Sequence, residues 1–300
     1  MITYLDQNKW IELARIVHGK DRTPRSQTIL RHLKAATESG CILPLSHIHY
    51  IETARISNIG RKSRLGSVMW EYSKGFTMAS YSTIVEHEIE EALSPYFPQI
   101  RRSKLTLIGR GIAHAFGKFV MRGISIPDDE AMERAMLTGH LGSIIGPPSF
   151  RSDHYQENFR NHLEGLHVNK HELPKDKWED WLYAIALIDI IDPLNRVMAR
   201  HSIDKDEMQK LGREEFRAMV DNMPTRCVDL HLHRQVLKNP QYKPKKTHLE
   251  DWAGLGVASC YCDVVVCENH MADMIRRDGF RPKARIETNL ANLFRTVSTA

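Results

Sequence analysis

With 300 residues, of which 42% are hydrophobic and 26% charged, the chain can bury a sizeable core, and this excludes a mainly disordered protein. The five cysteines, at positions 41, 227, 260, 262 and 267, are too scattered for a disulfide framework and no apolar leader opens the chain, so a reducing, cytoplasmic setting is expected. The net charge of +5 is compatible with a polyanionic partner without requiring one.

The first element is a short β-prone run, residues 2–5, that stops on Asp6 and is followed by Gln7 and Asn8. A buried strand ending on a carboxylate delivers an acid to the rim of a sheet, where a divalent ion is readily held. Residues 9–17 and 26–36 carry apolar side chains at helical spacing, and residues 41–45 form a second short apolar run, so the order β, α, α, β is expected. Ser46 is a candidate N-cap for a helix over residues 47–56, with Glu52 inside it among Ile48, Ile51 and Ile56. A carboxylate in that apolar setting needs a metal ion or an ion pair, with Arg55 as the nearest cation in sequence.

From residue 58 to 223 the pattern is mainly helical, broken at Pro95, Pro98, Pro127, the turn at residues 146–148, Pro174 and Pro193. The longest apolar stretch, from Trp181 to Ile191, is interrupted by Asp189 and falls short of the roughly 20 residues that cross a membrane; a buried helix is expected there.

Alternation returns in the last part. Thr247 to Glu250 has the form of a capping box, which places Asp251 in the first turn of a helix running to about Ser259. Asp263 precedes the β-prone run 264–266, which is followed by Cys267, Glu268, Asn269 and a helix through Ile275; residues 284–286 suggest an edge strand. Arg234, Lys238, Lys243, Lys245 and Lys246 lead towards Asp251 and suit either a nucleic-acid backbone or a solvated loop.

The stretch Tyr4 to Asn8, the Ile51-Glu52-Thr53-Ala54 helix, the Asp251 helix and the segment from Asp263 to His270 together resemble the PIN domain family, and the segment from Met223 to Asp263 is also similar to larger bacterial PIN-like proteins that place a helical insertion between the second and third acids. The resemblance covers residues 1–57 and 224–300 and leaves 58–223 as a helical insertion or subdomain. It implies an α/β fold, a three-layer α/β/α arrangement around a parallel sheet, and hydrolysis of phosphodiester bonds in RNA, less often DNA, by acids that hold Mg²⁺ or Mn²⁺. By resemblance the acids are Asp6, Glu52, Asp251 and Glu268, with Asp263 as a reserve ligand and Asn8 and Asn269 as supporting residues. Many members have an aspartate where this chain has Asn269. That departure motivates an alternative, a catalytically degenerate scaffold that binds nucleic acid or protein. The insertion is expected to shape substrate access or to mediate assembly, as a homo-oligomer or with a cognate regulator, and no membrane partner is expected.

Neither zinc catalysis nor nucleotide binding finds a matching motif. His47 and His49, like His231 and His233, are spaced two apart and fall on different faces of a helix, and Glu86-His87-Glu88 lacks the second histidine of a zinc-protease helix. Gly109-Arg110-Gly111 lacks the lysine and hydroxyl of a phosphate loop.

Overall fold

The computed structural model describes residues 1–117, 130–139, 154–172 and 174–293, so the expected breaks at Pro127 and residues 146–148 lie outside it. The chain runs β1 (Thr3–Leu5), α1 (Gln7–Val17), α2 (Pro24–Glu38), α3 (His47–Ala54), α4 (Ile59–Ser73), β2 (Phe76–Met78), α5 (Tyr81–Leu93), β3 (Ile108–Arg110), α6 (Gly111–Phe116) and α7 (Glu130–Thr138). It continues with α8 (His154–Asn169), α9 (Trp178–Ile188), α10 (Ile191–Arg200), α11 (Lys205–Gln209), α12 (Arg213–Asp221), α13 (Pro224–Lys238), α14 (His248–Tyr261), β4 (Val264–Val266), α15 (Asn269–Arg276) and β5 (Arg285–Glu287). The fold is a mixed α/β one dominated by helices.

β1, β4 and β5 form a parallel sheet with β4 in the middle, in which Leu5 lies opposite Val266 and Val265 opposite Ile286. Parallel strands buried on both faces are expected to read as continuous apolar runs, and Val264-Val265-Val266 is such a run. Because side chains alternate along a strand, Tyr4, Val265 and Ile286 enter one hydrophobic cluster while Leu5, Val264 and Val266 enter another, so helices cover both faces. The first cluster also holds Ile84, Leu163, Ile185 and Val220 from the helical middle of the chain, which therefore shares a hydrophobic core with one face of the sheet.

Residues 41–45, expected to be a strand, form no ladder. Ile42 makes a single parallel bridge to Ile2 and Leu45 one to Thr77, with Pro44, which has no N–H to donate, between them. The Ile42 N–H donates to the Met1 carbonyl at 2.9 Å and the Leu45 N–H to the Phe76 carbonyl at 2.9 Å. This segment therefore joins the parallel sheet to the antiparallel pair β2 and β3, neither of which the apolar pattern had marked.

The stretch from Trp181 to Ile191 is buried on one side only. Leu182, Ile185 and Ala186 are covered, whereas Ile188 and Ile191 are exposed, at 69% and 49%. Among the described residues no helix is long and apolar enough to cross a membrane. All five cysteines are free thiols.

Candidate metal centre

Asp6 leaves the end of β1 and caps α1, its Oδ1 accepting from the Gln7 N–H at 2.8 Å. Its own N–H donates to the Val266 carbonyl at 2.9 Å, which fixes it against the end of β4. It is 7% exposed. Burial, reinforced by the charge of Glu268 and opposed by Gln7 and Lys9, raises its carboxyl to about 6.

Glu52 is brought to the same edge by α3. Ser46 donates its N–H to His49 Nδ1 at 2.9 Å, so the ring hydrogen is on Nε2, which donates to the Leu5 carbonyl at 2.8 Å. Buried and hydrogen-bonded in its neutral form, His49 is depressed to about 3 by desolvation. Two more ties hold α3 to this corner: Gln7 Nε2 donates to Thr53 Oγ1 at 3.1 Å, and the Tyr4 and Ser46 hydroxyls meet at 3.1 Å. The Glu52 carboxyl lies well above the usual carboxylate range, first through burial and then through the charges of Asp6, Asp251 and Glu250. Arg55 pairs with Glu250, not with Glu52, although its charge still favours the ionised form of Glu52.

Asp251 lies in the first turn of α14. Burial and the charges of Asp6, Glu268 and Glu250 lift its carboxyl to about 7, against the opposing charge of Lys245. The expected capping box is not formed. Thr247 has helical torsions and makes no side-chain cap, and Glu250 Oε1 is taken instead by Arg55 and by Gln156 Nε2, the latter at 2.7 Å. Gly254 lets α14 approach β1, because a Cβ there would stand 2.6 Å from the Tyr4 hydroxyl.

Glu268 follows β4 at the exposed rim, its Oε1 accepting from Asn8 Nδ2 at 2.7 Å. Asn8 thus supports Glu268. Asn269 is exposed at the start of α15. Asp263 is at the other end of β4, where its Oδ2 accepts from the Ile2 N–H at 2.7 Å. At ~3.3 Å per residue, the strand separates it from the Asp6 edge by roughly 13 Å, so it is not a ligand of this site.

Four acids from four separate segments therefore converge electrostatically at the C-terminal edge of β1 and β4. Their side chains do not close into a ligand shell: among the described residues no group of three or more His, Cys, Asp and Glu side chains is disposed to hold a metal ion. Two of the acids are held by other partners, Asp6 by the Gln7 N–H and Glu268 by the Asn8 side chain. The donors themselves are hard carboxylate oxygens, the set that Mg²⁺ and Mn²⁺ prefer. The neighbouring Cys267 is fully buried, and its thiol is pushed up to about 12 by burial and then by the charge of Asp6.

The five basic residues divide. Arg234 pairs with Glu179 at 2.6 Å, Lys238 with Asp278 at 2.7 Å and Lys246 with Glu157 at 3.0 Å. Lys243 and Lys245 are exposed, and the charge of Lys245 reaches Asp251. Lys9, absent from the sequence-based set, acts on Asp6 in the same way. His49 was also missed as a positioning residue, although its place three residues after the N-cap Ser46 was a usable signal. Comparison of the chain with protein-family models, curated proteins and solved structures returns no match.

Proposed function

We propose that the chain is a PIN-like, metal-dependent nuclease that hydrolyses phosphodiester bonds, with Asp6, Glu52 and Asp251 as the inner acids and Glu268 at the rim. The observation that carries this reading is the delivery of the Asp6, Glu52 and Asp251 carboxyls from β1, α3 and α14 to one edge, where burial raises all three, the charge of Asp6 adds to the rise of Glu52 and Asp251, and that of Glu268 to the rise of Asp6 and Asp251. Concentrated acidic groups raised by burial and by one another form a costly arrangement in a structural role, and perturbed groups gathered at one edge mark a functional site. The sheet order β3, β2, residues 41–45, β1, β4, β5, with helices on both faces, supports the PIN-like three-layer description.

Mg²⁺ or Mn²⁺ held there would lower the pKa of a coordinated water and stabilise the leaving oxygen. The protein's own part is positioning. Gln7 orients Asp6, Asn8 orients Glu268, and His49 sets the distance between α3 and β1. Lys245 supplies positive charge beside the acids, where a phosphodiester would approach, while Lys9, whose charge acts on Asp6, is itself paired with Glu12 at 3.3 Å. The preference for RNA over DNA, the cytoplasmic setting and a homo-oligomeric or regulatory partner for the helical middle rest on the sequence alone.

A nuclease of this kind cuts end-labelled single-stranded RNA with Mn²⁺ or Mg²⁺, leaves 5′-phosphate and 3′-hydroxyl ends, and stops in EDTA. The open arrangement of the acids, with Asn269 beside them, favours a second reading, a binding scaffold. Binding that persists in EDTA, weakens with salt and is never accompanied by cutting would select it.

A further inference from the structure

A pair of stacked rings stands beside Asp251 and Glu268. His248 opens α14, three residues before Asp251 and so on the same side of that helix, and His270 lies in the first turn of α15, two residues after Glu268. The two ring planes are 25° apart with centroids at 5.7 Å.

His248 is a fixed base for the pair. It is 2% exposed, and its Nδ1 accepts from the Tyr242 hydroxyl at 2.8 Å and from the Lys245 N–H at 3.3 Å, which leaves the ring hydrogen on Nε2. The Tyr242 ring, itself buried, lies 5.6 Å from that of His248. Tyr242, His248 and His270 thus form a ladder of three rings from the interior to the surface, of which only the last is exposed.

No structural duty explains the exposed ring. The N-cap of α15 is Glu268, and the first turn of a helix favours acids, not a histidine. Among the described residues His248 is the one ring that His270 meets. Backed on one side by a buried ring, His270 offers solvent a held aromatic face, the kind of surface on which an unpaired base stacks.

The surroundings suit a single strand. The charge of Lys245 acts on Asp251, His248 and His270 alike, and that of Glu268 on Asp6, Asp251 and His270, so the ring shares its neighbourhood with the acids and with a cation. Lys243 is exposed on the same loop. Single-stranded nucleic acid is held by this combination, bases on aromatic rings and phosphates on cations. Bases within a duplex are paired and stacked on their neighbours, and none reaches such a ring without being flipped out.

We propose that His270, seated on His248, is the stacking platform for an unpaired base next to the scissile phosphate, which makes single-stranded nucleic acid the substrate class of this edge. The proposal rests on the nuclease reading for the scissile phosphate, whereas the stacking contact is measurable without cutting. A ring face does not read the sugar, so single strands of RNA and of DNA both serve as probes.

The experiment is fluorescence anisotropy of the full chain in EDTA at low salt, with labelled single strands of about 12 nucleotides, the matching duplexes, and single strands in which one abasic position is walked along the chain. Single strands are expected to bind at least ~10-fold more tightly than duplexes. His270→Ala should weaken single-strand binding by about 5- to 100-fold, the range given by loss of one stacked base, and His270→Trp should bind at least as tightly as wild type. One abasic position should cost the wild type a similar factor and cost His270→Ala nothing, because ring and base act as a pair. With Mn²⁺, the loss in His270→Ala should appear in KM and leave kcat nearly unchanged. Should His270→Ala fail to fold, His270→Trp carries the test, since the larger ring must then tighten binding and enlarge the abasic penalty. No binding of single strands, equal binding of duplexes, or wild-type binding by folded His270→Ala overturns the proposal, the last of these leaving the nuclease reading intact if metal-dependent cutting persists. Ring-dependent binding without any metal-dependent cutting would instead support the platform and sink the nuclease reading.

Discussion

His49 donates its Nε2 hydrogen to the carbonyl oxygen of Leu5 at 2.8 Å, and so fastens the helix that carries Glu52 to the last residue of the strand that delivers Asp6. The same ring accepts the Ser46 N–H at 2.9 Å, and both bonds are buried. Replacing His49 with Ala leaves a donor and an acceptor unpaired beside a void. The expected loss is about 2–4 kcal/mol of stability, read by urea unfolding. Cleavage should fall by more than tenfold even where the variant remains folded, because a misplacement of about 1 Å can cost a factor of roughly a hundred. Unchanged activity in a folded His49→Ala protein would remove this residue from the positioning set.

Asp251 gives a pH-dependent effect whose sign follows from its raised carboxyl. Below its ordinary value of 3.8 the group is protonated in both the folded and the unfolded chain and costs nothing. Between there and its folded value of about 7, the unfolded chain ionises first, so the cost grows with pH and is complete above about 7. Asp251→Asn should therefore stabilise the protein in EDTA by about 1–3 kcal/mol at pH 8 and by progressively less as the pH falls towards 4. A stabilisation that does not change with pH would contradict this.

The legibility of the site follows from what carries each residue. Asp6 and Glu268 were readable because each follows a short β-prone run, and parallel pairing of those runs brings their ends together. Asp263 was misread as a reserve ligand for a related reason: an acid stands at either end of β4, and only the pairing with β1 reveals which edge each one reaches. The capping box at Thr247 failed because Glu250 found Arg55 and Gln156, partners 195 and 94 residues away that no local pattern contains. Three of the five basic residues were similarly matched by acids distant in sequence. The interruption at Pro44 was present in the sequence but undervalued against the apolar run around it.

Gly254 tests how closely α14 must approach β1. An added Cβ would meet the Tyr4 hydroxyl at 2.6 Å, and Tyr4 is 2% exposed and hydrogen-bonded to Ser46. In an open helix, Gly→Ala would stabilise by roughly 1 kcal/mol. Here the overpacking is expected to outweigh that gain and give a net loss of about 1–3 kcal/mol in denaturant unfolding. A net gain would mean that Tyr4 moves freely and does not set the position of Asp251.

The most direct measurement compares wild type, Asp6→Asn and Glu52→Gln, purified in parallel, for cleavage of end-labelled single-stranded RNA and DNA with Mn²⁺, Mg²⁺ or EDTA. Divalent-dependent cutting by wild type, lost by a factor of at least a hundred in both variants while they melt at or above the wild-type temperature, is the expected result. Cutting by either folded variant at the wild-type rate, or none by wild type with either metal, would contradict the assignment of these carboxylates to a nuclease centre.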